Sequence, residues 1–297
     1  MNPLEDRLLD DISKGKEAST EDALLIVSGV KTPQELNKYK RKLDNIQARF
    51  QTWLRAKGAV SDFIHKEYMS ITRARFLFEY LWNSKPRRHG NGYLLTVAVD
   101  AQLDPDVNSA LGSCIGLTAL YTVLCIRENI DTVILTNGDH VLNRLKHDEL
   151  SVNVENTDPL GFDKEPINDS FEELPPVLLI ASILNSRGID EQKRGECKVA
   201  LDSFSKAVTI RPDYENVYNN RGNVYFELGD YRRAQRDYEI AVKLKPDFAE
   251  ACCNLGLALE KQADFDRALY YFKKALEISP QYEDAKRCLE ILGKRRS

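Results

Sequence analysis

The sequence predicts an α+β protein in three parts: a helical N-terminal region, a central helix backed by a small antiparallel sheet, and an all-α C-terminal array. Three observations lead to this prediction. Residues 1–90 carry helical signals, residues 131–157 contain β-rich runs between turn sequences, and the last third repeats itself every 34 residues. With 297 residues, of which 42% are hydrophobic and 30% charged, the chain can bury a sizeable core, and its length favours about two domains.

The N-terminal region, residues 1–59, is predicted to be helical. The segment TPQELNKYKRKLDNIQARFQTWLRAKG opens with Thr32 as N-cap and Pro33 at the first helical position, and Glu35 completes a capping box. A further helix is predicted in SDFIHKEYMSITRARFLFEYLWN. Its apolar face is formed by Phe63, Tyr68, Ile71, Phe76, Leu77 and Tyr80.

The middle of the chain, residues 60–170, combines a buried helix with short strands. The stretch GSCIGLTALYTVLC (112–125) places Leu117, Leu120, Tyr121 and Leu124 at helical spacing. The runs DTVILT, DHVLNRL and LSVNVENT then read as strands separated by turn sequences. We therefore expect one helix packed on a small antiparallel sheet, followed by a Pro- and acid-rich linker that includes residues 171–180.

A candidate catalytic site follows from the first turn of the buried helix. Cys114 lies at the helix N-terminus, which favours the thiolate form, although cysteine is also a common small core residue. His140 on one strand would serve as a base, and Glu155 on the next would orient the imidazole. Asn153 is the alternative third member, because alternate strand residues share a face. The spacing of His147 from His140 favours no metal site.

These residues carry a resemblance to a known family. The pattern GSCIGLTALY…DHVLNR…VNVENTDPLGFD resembles the transglutaminase-like family, in particular its SirB-type branch, over residues 60–170. The resemblance implies a papain-like fold, with Cys114 as nucleophile and His140 as general base. Glu155 falls where the family usually has Asp, and members of this branch often carry helical repeats after the domain.

The C-terminal third contains a 34-residue period in five columns. The columns comprise one glycine, two alanines, one aromatic residue and one proline per unit: Gly188, Gly222 and Gly256; Ala200, Ala234 and Ala268; Phe204, Tyr238 and Phe272; Ala207, Ala241 and Ala275; Pro212, Pro246 and Pro280. This order of residues resembles the tetratricopeptide repeat. The resemblance implies three helical pairs over residues 181–282 and a capping helix over residues 283–297.

A partner-binding face is predicted on the first helix of the second repeat. Asn216, Asn219 and Asn223 follow i, i+3, i+7 spacing, so they share one helix face. Asparagine inside a helix costs roughly 0.5 kcal/mol relative to alanine, which suggests that the amides are kept for a partner backbone. The alternative is that Asn216 lies near the helix start and the other two are solvated.

Composition excludes several classes of protein. The net charge of −4 gives no reason to expect nucleic acid, and no apolar run approaches the roughly 18 residues that span a membrane. The six cysteines show no C-x-x-C spacing, so neither a zinc site nor a disulfide framework is expected. The N-terminal MNPLEDRLLDD lacks the apolar segment of a signal peptide. We expect a cytoplasmic protein without cofactor.

Two functions are compatible with the sequence. The first is cysteine-dependent acyl transfer or amide hydrolysis on a protein or peptide that the repeats present. The alternative is a non-catalytic interaction adaptor, in which the repeats bind a partner and a degenerate transglutaminase-like domain supplies a second binding surface. The three residues Cys114, His140 and Glu155 favour the enzyme, and the reactivity of Cys114 distinguishes the two functions.

Overall fold

The computed structural model describes residues 2–57, 69–85, 92–106, 112–137, 140–163 and 171–296. The chain divides into two compact units, Met1–Ile183 and Leu184–Ser297. Phe63 and Tyr68 of the predicted apolar face lie outside the described residues. No helix in the described ranges combines the length and the apolar character that crossing a membrane requires.

The first unit contains helices and one small sheet. Its described helices are α1 (Pro3–Ser13), α2 (Thr20–Val27), α3 (Pro33–Ala56), α4 (Met69–Ser84), α5 (Leu95–Leu103) and α6 (Cys114–Arg127). The strands are β1 (Thr132–Thr136), β2 (Val141–His147), β3 (Leu150–Val154) and β4 (Glu172–Leu174). Helix α3 begins as predicted: the Thr32 hydroxyl accepts from the Glu35 amide at 3.2 Å, and Pro33 is the first helical residue.

Helix α6 forms the centre of this unit. All residues from Gly116 to Cys125 are buried, which fits a helix that is apolar around its whole circumference. One face packs on β2 and β1, and another packs on α5. The Tyr121 hydroxyl donates to the backbone oxygen of Ala74 at 2.9 Å, which satisfies its polar end in the core. The structure confirms the predicted buried helix and the small antiparallel sheet on which it packs.

The sheet is antiparallel, with the strand order β3-β2-β1-β4. In β2 and β3, Asn143 lies opposite Val154, so the beginning of β2 and the end of β3 are neighbours. Strand β4 pairs with β1, with Ile134 opposite Leu174. The predicted linker 171–180 is therefore ordered: it contains the edge strand of the sheet, then a 3-10 turn at Pro176–Leu178.

The predicted boundary between residues 59 and 60 does not coincide with the division of the structure. Helix α3 packs on α5, and α2 packs on α5 and α6, so the N-terminal helices share the core of the first unit. At the end of α6, the Arg127 guanidinium pairs with Glu21 of α2 at 2.7 Å and with Asp44 of α3 at 2.7 Å. Helix α5 was not predicted as a separate element.

The second unit is built from helical pairs at the predicted period. Its helices are α7 (Leu179–Lys193, whose first residues belong to the first unit), α8 (Cys197–Ile210), α9 (Glu215–Glu227), α10 (Tyr231–Leu244), α11 (Ala249–Lys261), α12 (Phe265–Ile278) and α13 (Glu283–Arg296). Each proline column residue follows two positions after the end of a second helix. This is where a residue that cannot continue a helix is expected.

The glycine of each repeat leaves room for the aromatic ring on the paired helix. A Cβ on Gly222 would lie 2.6 Å from Cε1 of Tyr238, so the ring lies directly on the bare backbone of the paired helix. The equivalent distances are 2.7 Å for Gly188 on Phe204 and 2.6 Å for Gly256 on Phe272. Each aromatic ring therefore packs within its own repeat.

Candidate functional site

The thiol of Cys114 belongs to the first residue of α6, as the sequence predicted. Ser113 precedes it as the N-cap, and its backbone amide donates to the oxygen of Gly92 at 2.7 Å. The amides of a first helical turn have no partner inside the helix. They place partial positive charge beside the sulfur, which favours an anion there.

His140 and Glu155 lie together at the same edge of the sheet. His140 immediately precedes β2 and Glu155 immediately follows β3, so the pairing of these strands brings them together. The His140 Nε2 and Glu155 Oε2 atoms form a short hydrogen bond. The Cys114 side chain also interacts with the imidazole. The structure therefore links the thiol, the imidazole and the carboxylate in series.

These contacts change the protonation of the imidazole and the carboxylate. The interaction with Cys114, followed by the hydrogen bond to Glu155, raises the pKa of His140 to about 10, against the opposing effect of burial. Burial by itself would raise the pKa of Glu155, but hydrogen bonds from His140 and Thr157 outweigh it and lower that pKa. At neutral pH the site therefore holds an imidazolium beside a carboxylate.

The carboxylate of Glu155 is fixed from its other side. Both the hydroxyl and the backbone amide of Thr157 donate to Oε1, at 2.6 and 3.0 Å. The Glu155 amide donates to the oxygen of Gly161 at 2.9 Å, which closes a tight loop. A Cβ at position 161 would lie 2.2 Å from the backbone oxygen of Glu155, so only glycine allows the two backbone segments to come this close.

A buried polar network lies one helical turn from Cys114. Asn156 donates to Asn143 at 2.8 Å and to the Thr118 hydroxyl at 3.4 Å. Asn143 in turn donates to the Thr122 hydroxyl at 2.8 Å. Because all four side chains are buried, these hydrogen bonds hold the helix and the strands in one register beneath the thiol.

Asn153 has a different partner from the one that the sequence suggested. Its amide oxygen accepts from Nε of Arg144, the residue opposite it on β2, at 2.8 Å. Glu155 lies beyond the end of β3, so strand alternation does not bring the two residues to one imidazole. No group of three or more His, Cys, Asp or Glu side chains able to hold a metal occurs among the described residues.

A second candidate site is a cleft between the helices of the second unit. Its volume is about 450 Å³. Residues of α7, α9, α10, α11 and the beginning of α13 line it: Gln192, Asn223, Phe226, Glu227, Tyr238, Glu250, Asn254, Leu257, Tyr282 and Asp284. Aromatic rings, amides and carboxylates therefore meet in one depression.

The three predicted asparagines have different environments. Asn219 is only 2% exposed, and its amide donates to Glu250 at 2.9 Å and accepts from Asn254 at 3.0 Å. The pair Asn185 and Asn220 forms the same contact one repeat earlier, at 3.0 Å. Asn219 thus joins successive repeats, while Asn216 is half-buried near the start of α9 and does not line the cleft.

Asn223 and Asn254 present unused polar groups to the cleft. The Asn223 oxygen accepts from the Tyr238 hydroxyl at 2.8 Å and from the Asn254 amide at 3.1 Å. Within the described part of the chain, the Asn223 NH₂ group donates no hydrogen bond, and the Asn254 oxygen accepts none. One NH₂ group, with two N–H donors, and one amide oxygen therefore remain available to a further partner.

Several of these residues were not identified from the sequence. Thr118 could have been found, because a residue four positions after Cys114 shares its helix face. Thr157 could also have been found, since a Thr two positions from a carboxylate commonly bonds to it. Asn143, Asn156, Glu250 and Asn254 depend on contacts between distant segments, for which the sequence carries no local signal.

Comparison with known families identifies the repeats. A tetratricopeptide repeat model matches residues 219–283, and a second model, described as TPR repeat, matches residues 192–229. Together with the helical pairs, these matches confirm the tetratricopeptide repeats that the 34-residue period predicted. Both lie within residues 192–283, so the transglutaminase-like resemblance of the preceding region stays a prediction.

Solved structures of three repeat domains are similar to the C-terminal part. The first TPR of Spaghetti (RPAP3), bound to the HSP90 peptide SRMEEVD, is 24% identical, and the match covers 39% of this chain and 91% of that one. The Sgt2 TPR domain from Aspergillus fumigatus is 28% identical, with 39% of this chain and 78% of that one covered. The Arabidopsis OM64 TPR domain is 23% identical, with 39% of this chain and 95% of that one covered. Each has a TM-score of 0.38. No curated protein matches the sequence.

Proposed function

We propose that this protein is an interaction protein whose repeats hold an extended peptide segment of a partner in the cleft. The observation that carries the proposal is the pair of uncommitted amide groups on Asn223 and Asn254, beside the rings of Phe226, Tyr238 and Tyr282. A peptide backbone offers one donor and one acceptor per residue, which matches these groups.

A selection from a random peptide display library on the full-length protein tests this proposal. The selected peptide should lose at least about fivefold in affinity in Tyr282→Ala, because an aromatic contact at the centre of an interface contributes about 1 kcal/mol or more. Tyr270→Ala is the matched control, since Tyr270 is 60% exposed and does not line the cleft. Equal affinity of both variants would place peptide binding outside the cleft.

We propose cysteine-dependent acyl transfer or amide hydrolysis as the second candidate function. The observation in its favour is that His140 is hydrogen-bonded to Glu155 and interacts with the side chain of Cys114. In this reaction the sulfur attacks a carbonyl carbon after His140 takes the thiol proton, and the proton then passes to the leaving amine. The resulting thioester is cleaved by water or by a second amine. First-turn amides of α6 would stabilise the oxyanion.

Acylation of the thiol by a peptidyl ester, followed by intact-protein and peptide mass spectrometry, tests this second function. Cys114 should acquire the acyl group, and His140→Ala should slow its acquisition by about 10²-fold or more. Cys197 provides an internal control, because it also begins a helix and is half-buried. If Cys114 and Cys197 react at equal rates, the helix terminus alone explains the reactivity and the catalytic proposal fails.

A further inference from the structure

The cleft of the repeats carries acidic side chains and no basic ones. Three of its ten lining residues are carboxylates, Glu227, Glu250 and Asp284, and all three are exposed to solvent. None of the ten is lysine or arginine. The carboxylates come from α9, α11 and α13, so they surround the depression from three elements rather than forming one acidic run.

Two of these carboxylates lack a cationic partner in the described part of the chain. Glu227 accepts from the neutral amide of Gln192 at 2.6 Å, and Glu250 accepts from Asn219 at 2.9 Å. Elsewhere in the same unit, carboxylates are paired with cations, as Asp237 is with Arg221 at 2.7 Å. The negative charge of Glu227 and Glu250 is therefore uncompensated at the cleft.

The tyrosines of the cleft respond to this negative charge. Burial is the main cause that raises the pKa of Tyr282 to about 12, and Glu250 and Asp284 add to it. Burial likewise raises the pKa of Tyr238, with further contributions from Glu250 and Glu227. A cation entering the cleft would meet carboxylates at its edge and aromatic faces in its wall, which is the environment that lysine and arginine side chains prefer.

We infer that the partner segment bound in this cleft is a basic peptide, with lysine or arginine side chains placed between Glu227 and Glu250. This inference rests on the proposed peptide-binding function and adds the chemical class of the partner. An acidic segment would bring like charges against both carboxylates, which disfavours binding. The backbone of the peptide would meet Asn223 and Asn254.

The test is a display selection from a random heptapeptide library on the full-length protein, followed by fluorescence anisotropy of the selected peptides. Glu227→Gln and Glu250→Gln should each weaken binding about two- to fivefold, the range expected for exposed ion pairs. Both substitutions preserve the size of the side chain and its acceptor. Glu277→Gln is the matched control, because Glu277 is exposed and does not line the cleft. The affinity should also fall as salt rises, since exposed charges are screened.

The outcomes separate this inference from the function on which it rests. Enrichment of lysine- and arginine-containing peptides, with binding that weakens in the two glutamine variants but not in the control, supports the inference. Enrichment of neutral or acidic peptides whose binding is lost in Tyr282→Ala overturns the inference and leaves peptide binding standing. Peptides that bind equally well to Tyr282→Ala, or no enrichment at all, overturn both.

Discussion

Replacing Glu155 by glutamine is expected to lower the pKa of His140 by about 1–2 pH units from its value of about 10. The substitution removes the negative charge that Oε2 presents to the imidazolium. A hydrogen bond to a charged group contributes about 1.5–3 kcal/mol, and one pH unit corresponds to 1.36 kcal/mol. The pKa should remain above the ordinary 6.5, because the interaction with Cys114, the larger cause of the increase, is retained.

The sign of the effect on stability follows from the raised pKa of His140. Because the folded pKa exceeds the ordinary value of 6.5, protonation of this imidazole stabilises the fold fully below pH 6.5. The contribution is lost as the pH rises through about 10. The lowered pKa of Glu155 acts in the opposite direction: its contribution is present above its ordinary value of 4.5 and is lost as the pH falls through the folded value.

NMR titration of histidine-labelled protein measures this prediction directly. The chain has four histidines, so the His140 resonance is assigned by its loss in His140→Gln. Glu173→Gln is the matched control, since Glu173 pairs with Arg144 and Lys146 and does not contact the imidazole. A wild-type pKa near 6.5, or the same pKa in wild type and Glu155→Gln, would refute the account of the site.

Three further predictions concern the repeats. Gly222→Ala is expected to lower the free energy of unfolding, measured in urea titrations, by about 1–2 kcal/mol. The new Cβ forces the buried Tyr238 ring to move, and the higher helix propensity of alanine offsets only part of that cost. An unchanged urea midpoint would contradict this packing. Truncation after Pro280 removes α13 and should expose the apolar face of α12. The second unit should then be partly unfolded or aggregate, while the first unit still resists proteolysis. An unchanged melting curve would count against a capping role for α13. Asn219→Ala and Asn223→Ala should each cost about 1–3 kcal/mol of stability, because each variant loses two hydrogen bonds. Only Asn223→Ala should also reduce peptide binding, since Asn223 lines the cleft and Asn219 is buried. Loss of peptide binding in Asn219→Ala but not in Asn223→Ala would show that their roles are exchanged.

Local signals allowed much of the fold to be predicted. Some features depend only on residues within one helix or one helical pair, so they could be predicted from the sequence. They are the Thr32 cap, the proline column and the glycine and aromatic columns. Strand β4 was missed because Glu172 and Glu173 have low β-propensity, and pairing with β1 alone makes the segment a strand. Helix α5 was missed because a short apolar run does not distinguish a helix from a buried strand.

At the candidate sites, too, local spacing could be read from the sequence, whereas contacts between distant segments could not. The sequence predicted a site of Cys114, His140 and Glu155 from their order along the chain and from the family resemblance. Strand alternation had made Asn153 an alternative to Glu155, whereas β3 ends before Glu155 and Asn153 contacts Arg144 instead. In the repeats, helical spacing identified one face of α9, but the burial of Asn219 depends on Asn254 in the next repeat.

Site-specific photocrosslinking to a selected peptide tests the central claim most directly. A photoreactive amino acid at position 257, which lines the cleft, should crosslink the peptide, whereas the same amino acid at position 270, outside the cleft, should not. Unlabelled peptide should compete the first crosslink away, and Tyr282→Ala should diminish it. Equal crosslinking from both positions, or crosslinking from position 270 alone, would contradict peptide binding in the cleft of the repeats.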